Sequence, residues 1–339
     1  MPSTRSATAY YGDKLELLRD LFGADRISLE PERIVIDGHA WPVVDDVIVL
    51  LPPEKYPAAL RHRLGQAAAP AVSGDTFAED IQATFGAEWQ TFDEILPEHE
   101  REFRQYFDIV DIPALRGQRV CDLGCGIGRW SHFLKDVARE LILVDFSEAI
   151  FVARENLRDA PHAVFIMADL QDLPFRDDCA DFAFCLGVAH HLPVEALTAV
   201  RRLGRLAPRF LVYLYSALDG HPVHYRLLHA PVGLLRRLVC RVSNPAFRSV
   251  FTWLCVLFLY LPMIAVGTLL RPFGLSRYVP LYDFYAGKSL HRIRQDAYDR
   301  FFTSIEQRFS RADIMTLTDS FAEVTISPQI PMWHFLCRR

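Results

Sequence analysis

Neither paired cysteines nor a run of basic residues occurs in this chain, and each absence excludes functions. Its seven cysteines among 339 residues form no Cys-x-x-Cys pair and have no neighbouring histidine at metal-ligand spacing. No metal is expected, and the thiols read as reduced and mostly buried. With 37 Lys and Arg against 42 Asp and Glu, the formal charge is −5. That leaves no excess cationic surface for phosphate backbones, which argues against nucleic acid as a partner. Residues 1–14 are polar and lack the apolar core of a signal peptide, so nothing there directs export and a cytoplasmic location is expected.

What is present is a glycine-rich loop. Val120-Cys121-Asp122-Leu123-Gly124-Cys125-Gly126-Ile127-Gly128-Arg129-Trp130 reads as a buried strand that breaks into a turn and then a helix, the layout of loops that hold nucleotide cofactors. Glycines at alternate positions let the backbone turn tightly and bring its N–H groups close to a ligand. A dinucleotide loop places its third glycine three positions after the second, where this chain has Arg129. Gly128 comes one residue early, which excludes a nicotinamide oxidoreductase on spacing. A tight turn that binds nothing is the alternative. The spacing, with Asp122 ahead of the first glycine, resembles motif I of the class I S-adenosylmethionine-dependent methyltransferases. The resemblance implies that Gly124, Cys125, Gly126 and Gly128 cradle the methionine part of S-adenosyl-L-methionine and that Asp122 helps to hold it.

Downstream, strand and helix repeat in the order a doubly wound sheet requires. Residues 141–144 form a short apolar run ending in Asp145, after an expected helix over 132–140. An acid at this sheet edge can accept hydrogen bonds from both ribose hydroxyls, with Phe146 beside it. A third strand over 164–167 leads to Asp169 and Leu170. There the family places its adenine contacts, which implies that Asp169 accepts from the adenine amino group and that Leu170 covers the ring. Taken singly, either acid would also suit a helix N-cap. Residues 181–188 give strand four, including Gly187, and run into Ala189-His190-His191-Leu192-Pro193, similar to a His-His-Leu-like turn in many small-molecule methyltransferases. Leu206-Ala207-Pro208-Arg209 departs from the family's Leu-Lys-Pro-Gly-Gly turn. Strand five covers 210–215, and 322–326 with 333–337 would close the sheet as an antiparallel hairpin. The resemblance, over roughly residue 85 to the C-terminus, implies an α/β fold with a doubly wound, Rossmann-like, seven-stranded methyltransferase sheet.

Five segments are expected: a small N-terminal β-rich module (1–66), a linker (67–84), the cofactor-binding core (85–215), a hydrophobic helical insertion (216–298), and the C-terminal helix with the closing strands (299–339). In the first, Ala40-Trp41-Pro42-Val43-Val44-Asp45 resembles the tail of the zinc-ribbon-like modules that accompany some methyltransferases. Without the zinc cysteines this copy would serve packing or docking. Residues 85–92 resemble an aromatic segment that would lid the cofactor, or else form a helix packed on the core.

The insertion, roughly ninety residues, far exceeds a strand-to-helix connection of about 2–6, and its exit from the carboxyl edge places it to roof the substrate. Residues 249–270 carry no charge and meet the ~20-residue criterion for crossing a bilayer. The strands on either side belong to one sheet, so crossings must be even, and Arg236 and Arg237 bar 227–240 from being the second span. A monotopic hairpin or interfacial helices broken at Pro262 are therefore expected, with Arg236, Arg237, Arg241 and Arg248 at anionic head groups. A buried cap or a dimer interface is the alternative.

Methyl transfer from a sulfonium is an in-line displacement, so the protein chiefly aligns the nucleophile, excludes water and removes a proton. Candidates for the proton are His190, His191 and Tyr215 at the strand ends, with His221, His224, Tyr282, Asp283, Tyr285 and His291 from the insertion. Gly187-Val188-Ala189-His190 stands where methyltransferases of nucleobase or amide nitrogens carry an Asn-Pro-Pro-Tyr-like turn. The expected function is O- or C-methylation of an apolar small-molecule or lipid-like acceptor by an enzyme peripheral to the cytoplasmic membrane face. The alternative is a membrane-docked binding or scaffold protein that keeps the fold without the reaction.

Overall fold

The computed structural model describes residues 7–65, 92–217, 223–242, 244–328 and 333–339, with the side chains of 223–230 outside the description. The linker, all but Phe92 of the aromatic segment, and the side chains of His221 and His224 fall outside it. The chain divides into two units, Met1–Ala217 with Ile305–Arg339, and Leu218–Ser304.

The first unit is built on one sheet. Its strands are β1 (Ile27–Glu30), β2 (Arg33–Ile36), β3 (His39–Val44), β4 (Val47–Val49), β5 (Arg119–Leu123), β6 (Glu140–Asp145), β7 (Ala163–Met167), β8 (Phe182–Leu186), β9 (Arg209–Ser216), β10 (Arg308–Phe309), β11 (Glu323–Ile326) and β12 (Trp333–Arg338). The spatial order is β1-β2-β3-β4-β7-β6-β5-β8-β9-β12-β11, with β10 beside β9. Strands β7, β6, β5, β8 and β9 run parallel, and β12 is antiparallel to both β9 and β11. A parallel sheet covered on both faces needs strands that are apolar throughout, and β5, β7 and β8 are buried at every position. Cys121, Ile142 and Val164 point into one core; Val120, Leu141 and Phe165 point into the other. The strand order reverses between β5 and β8, so their carboxyl ends frame the crevice where such sheets bind ligands.

Two local expectations are corrected. The N-terminal residues do not form a module apart from the core, because β4 pairs parallel with β7, Val49 opposite Met167, and carries β3, β2 and β1 with it as an antiparallel extension. Val47, Ile48 and Val49 are all buried, which a strand of a small detached module could not achieve. Buried Arg154 locks this junction, donating through Nε (3.0 Å) and Nη2 (2.5 Å) to Asp46 Oδ2. The helix expected over 132–140 is reduced to a 3₁₀ turn at Ser131–Phe133. Ser131 Oγ bonds to Asp122 and Leu134 and Ala138 turn into the core, so the connection descends to β6 without a regular ladder.

The second unit is helical, with Val223–Val239, Pro245–Cys255, a π-helical turn at Val256–Tyr260, Leu261–Leu270 and Leu290–Phe302. Pro262 does not break the long helix, which continues over the 29 residues Pro245–Phe273. Proline removes one backbone donor and its ring presses on the carbonyl four residues back; the wider π turn just before it absorbs both effects.

The polarity of this helix is inverted. Arg248 faces inward and donates to Tyr298 Oη (3.0 Å) and the Val242 carbonyl (2.8 Å). Arg294, on the helix Leu290–Phe302, donates to Ser249 Oγ (2.9 Å) and Thr252 Oγ1 (3.3 Å). The Tyr282 ring lies so close that a Cβ at Gly267 would sit 2.0 Å from it. Phe258, Leu269 and Phe273 face outward, 76%, 72% and 73% exposed. Of the 17 exposed large hydrophobic residues among those described, every one except Met315 belongs to this unit. Of the four arginines expected at head groups, Arg248 is interior and Arg236 donates to the Thr303 carbonyl (2.8 Å), while Arg237 and Arg241 are exposed.

Candidate cofactor site

The glycine loop leaves the carboxyl end of β5 with Gly124, Gly126 and Gly128 at φ +81°, +53° and +72°, a region closed to most side chains. Two of the three are also required by protein packing. A Cβ at Gly124 would lie 2.4 Å from Val188 Cγ2, and one at Gly128 2.5 Å from Leu157 Cδ1. The loop is held from β6, since the N–H groups of Gly124 and buried Cys125 both donate to the Val144 carbonyl (2.8 and 3.0 Å). Asn156 Nδ2 donates to the Ile127 carbonyl (3.0 Å) from the following helix.

Asp145 ends β6 and joins this loop directly. Its Oδ2 accepts from the Gly126 N–H (2.8 Å), and its Oδ1 from the N–H (2.8 Å) and hydroxyl (2.7 Å) of Ser147. Each carboxylate oxygen has two lone pairs, so Ser147 fills Oδ1 while Oδ2 keeps one for a further donor such as a ribose hydroxyl. Burial raises the Asp145 pKa, opposed by the bonds from Ser147 and Gly126. Phe146 beside it is half-buried.

Asp122 is fully inside, with Oδ2 accepting from Ser131 Oγ (2.8 Å). Burial pushes its carboxyl up to about 8, against the Ser131 bond and with a smaller push from the Asp145 charge. At neutral pH it is therefore mainly an uncharged acid, in keeping with the cost of an unpaired buried charge.

Asp169 lies two residues beyond β7. Its Oδ1 accepts from the Gln171 N–H (2.9 Å) and its Oδ2 from Lys55 Nζ (3.0 Å). Leu170, expected over the adenine ring, is buried and clusters with Leu173 and Phe175. Gly187 closes β8 at φ +81°, where a Cβ would have room, 3.8 Å from Tyr213 Cδ1; its conformation alone calls for glycine.

The three catalytic candidates come together, but not as a solvent-facing base. His190 is fully buried, its ring centroid 4.1 Å from those of both His191 and Tyr215. Burial holds its pKa well below the ordinary imidazole value, with His191 and Arg308 adding to the effect. His191 Nδ1 sits 2.6 Å from the Ile305 carbonyl, and Gln307 Nε2 donates to the carbonyls of Leu192 (3.0 Å) and Val194 (2.7 Å). The His-His turn is thus a packed joint between β8 and the returning chain, because the aromatic stack shuts both imidazoles off from water. Tyr215 is half-buried.

Three contributors escaped the sequence reading. Ser147 had a signal, a hydroxyl two residues after a strand-end acid, which is an Asx-turn pattern. Ser131 and Lys55 had none.

Comparison with known proteins finds similarity to methyltransferases over part of the chain. A family model described as a methyltransferase domain matches residues 120–207. Malonyl-[acyl-carrier protein] O-methyltransferase of Pectobacterium atrosepticum is 33% identical over 76 residues, 22% of this chain and 28% of that protein. Demethylmenaquinone methyltransferase of Clavibacter sepedonicus is 35% identical over 71 residues, 21% of this chain and 29% of that protein. The matches thus span less than a third of the length of either relative. Among solved structures, the Burkholderia thailandensis 1,6-didemethyltoxoflavin-N1-methyltransferase, with S-adenosylhomocysteine bound, is similar at 21% identity and a TM-score of 0.36, covering 44% of this chain and 68% of that one. The matched residues 120–207 form a methyltransferase domain that supplies the glycine loop, Asp145 and Asp169 to the carboxyl edge of this sheet.

Proposed function

We propose that the protein transfers the methyl group of S-adenosyl-L-methionine to oxygen or carbon of an apolar, lipid-like small molecule, working at a membrane surface. The observation that carries the cofactor half is the bond between Asp145 and the Gly126 N–H. It couples the second strand's acid to the glycine loop and leaves one lone pair on Oδ2 for ribose. The cofactor supplies an electrophilic methyl group when bound. Asp145 Oδ2 would accept from a ribose hydroxyl, Asp169 would accept from the adenine amino group, and a neutral Asp122 keeps a second carboxylate charge away from the loop. With His190 and His191 sealed, an acceptor that readily loses its own proton, such as an enol or phenol, suits the site.

The inverted helix Pro245–Phe273 supports the apolar and membrane half. An outward face this apolar is rare on soluble monomers and is characteristic of membrane or protein contact. Charge favours an anionic lipid surface: residues 218–304 hold eleven Lys and Arg against four Asp and Glu, a net +7 within a chain of −5. Exposed Arg237 and Arg241 precede the helix, and exposed Arg271 and Arg277 follow its uncharged stretch, each favouring an anionic surface by about 1 kcal/mol.

Calorimetric titration with S-adenosylmethionine and then S-adenosylhomocysteine tests the first half. Saturable binding of both is expected and would justify screening apolar acceptors with methyl-labelled cofactor; folded protein that binds neither overturns the enzyme reading. Sedimentation with neutral and anionic vesicles tests the second half. Wild type should pellet with anionic vesicles, and a Phe258→Gln, Leu269→Gln, Phe273→Gln variant should stay in solution. Wild type remaining in the supernatant would leave a buried cap or a dimer interface as the use of this face.

A further inference from the structure

We infer that Lys55 is a positioning residue for the cofactor, holding Asp169 as the acceptor of the adenine amino group and so making the N-terminal extension part of the cofactor site. The inference rests on the reading of Asp169 as the adenine acid. It begins with strand direction. Because β4 runs parallel to β7, with Val49 opposite Met167, both chains leave the sheet at the same carboxyl edge. The Leu50 N–H continues the ladder by donating to the Met167 carbonyl (2.9 Å). The chain then makes a 3₁₀ turn at Pro53–Lys55, while the other strand reaches Asp169 two residues beyond its end. The two meet at 3.0 Å between Lys55 Nζ and Asp169 Oδ2, with the side chains 31% and 14% exposed.

The turn carrying Lys55 is braced. Tyr56 is buried next to it, and Arg61 donates to the carbonyls of Tyr56 (2.9 Å) and Glu54 (3.0 Å). The same segment follows the carboxyl edge toward the end of β6, where the Leu60 backbone bonds to Glu148 and the Arg63 guanidinium lies 4.4 Å from the Phe151 ring centroid. Residues 53–63 therefore reach from the adenine acid to the turn that follows the ribose acid.

An ion pair of this exposure adds little to folding, so its use is geometric. With Oδ1 fixed by Gln171 and Oδ2 by Lys55, the plane of the Asp169 carboxylate is set before ligand arrives, and an oriented, ionised acceptor makes the stronger bond to an amino group. A base bearing a carbonyl where adenine has its amino group would turn an oxygen toward that carboxylate, so the arrangement also selects adenine.

S-adenosylhomocysteine is the probe, since it lacks the sulfonium and removing the Lys55 charge does not act through it. Calorimetry on the full chain would compare wild type, Lys55→Ala, Lys55→Arg, Asp169→Ala and the double alanine variant, each checked by thermal melting. Asp169→Ala and Lys55→Ala should each weaken binding about tenfold, Lys55→Arg should stay near wild type, and the double variant should be no weaker than Asp169→Ala alone. The preference for S-adenosylhomocysteine over S-inosylhomocysteine should shrink in Lys55→Ala. Unchanged affinity in Lys55→Ala, or a Lys55→Ala loss that persists in the Asp169→Ala background, overturns the positioning role while leaving the adenine acid in place. Unchanged affinity in Asp169→Ala overturns both readings.

Discussion

The Asp122→Asn variant should become more stable than wild type as pH rises. Asp122 is 2% exposed, and burial pushes its carboxyl up to about 8 in the folded protein against an ordinary aspartate value of 3.8. Between those values the folded state holds a proton that the unfolded chain has released, so stability falls with pH. It is fully present below the unfolded value and lost as pH climbs to the folded one. Each pH unit in that window costs about 1.4 kcal/mol. From pH 5 to pH 8 the loss reaches roughly 4 kcal/mol, a large share of the ~5–15 kcal/mol typical of a folded domain. Asparagine has a similar shape, can still accept from Ser131 Oγ and does not titrate. Its stability relative to wild type should therefore be lowest at pH 5 and grow through pH 6, 7 and 8. Urea unfolding followed by tryptophan fluorescence, run on both proteins at those four values, measures the difference. Parallel pH dependences would refute the claim that Asp122 is held neutral.

Asp145→Ala removes the acceptor bonded to Gly126 and Ser147, and calorimetry should show S-adenosylmethionine binding weakened by on the order of 1.5–3 kcal/mol; unchanged affinity removes the ribose assignment. Gly124→Ala forces a side chain into φ +81° and against Val188, costing about 1–3 kcal/mol from the backbone alone. Adding Val188→Ala should restore only the packing share of the melting temperature, and full restoration would show that the backbone conformation is not strained. Arg154→Met leaves Asp46 buried beside an apolar chain and should destabilise by about 3–5 kcal/mol in urea, with much of the loss recovered by adding Asp46→Asn. A negligible effect of the single change would mean that the N-terminal strands are not locked to the core through this pair.

The central strands were legible because parallel strands buried on both faces read as apolar runs, and the acids that close them, Asp145 and Asp169, fall where the chain must turn. The closing hairpin was legible for a similar reason. Partnership was not. Nothing local to Val47, Ile48 and Val49 says that their neighbour is β7, more than a hundred residues away, so the N-terminal strands looked like a separate module. Lys55 escaped on the same ground, since its contact with Asp169 spans 114 positions. Exposure was equally hidden. His190 and His191 suit proton transfer by residue type, and only the stacking of Tyr215 and the returning chain around Ile305 and Gln307 shows that they are sealed. At Pro262 the rule that proline ends a helix was overridden by a π turn. The inward stripe of Arg248, Thr252, Cys255 and Val256 has helical spacing, and with Tyr298 and Arg294 in view it marks the polar side of an otherwise greasy helix.

The pairing of β4 with β7 also bears on how this protein can be cut. A strand on the rim of a sheet offers a row of unused N–H and C=O groups to any other chain that arrives, and natural proteins blunt such rims. Without residues 27–49, β7 would be the rim, and its sequence Ala163-Val164-Phe165-Ile166-Met167 is uncharged and buried at every position. The extension moves the rim outward to β1, which ends in Glu30 opposite Arg33 and has Glu30 exposed. A fragment trimmed to the matched methyltransferase domain, 120–207, would consequently present an adhesive strand where the intact chain presents a charged one.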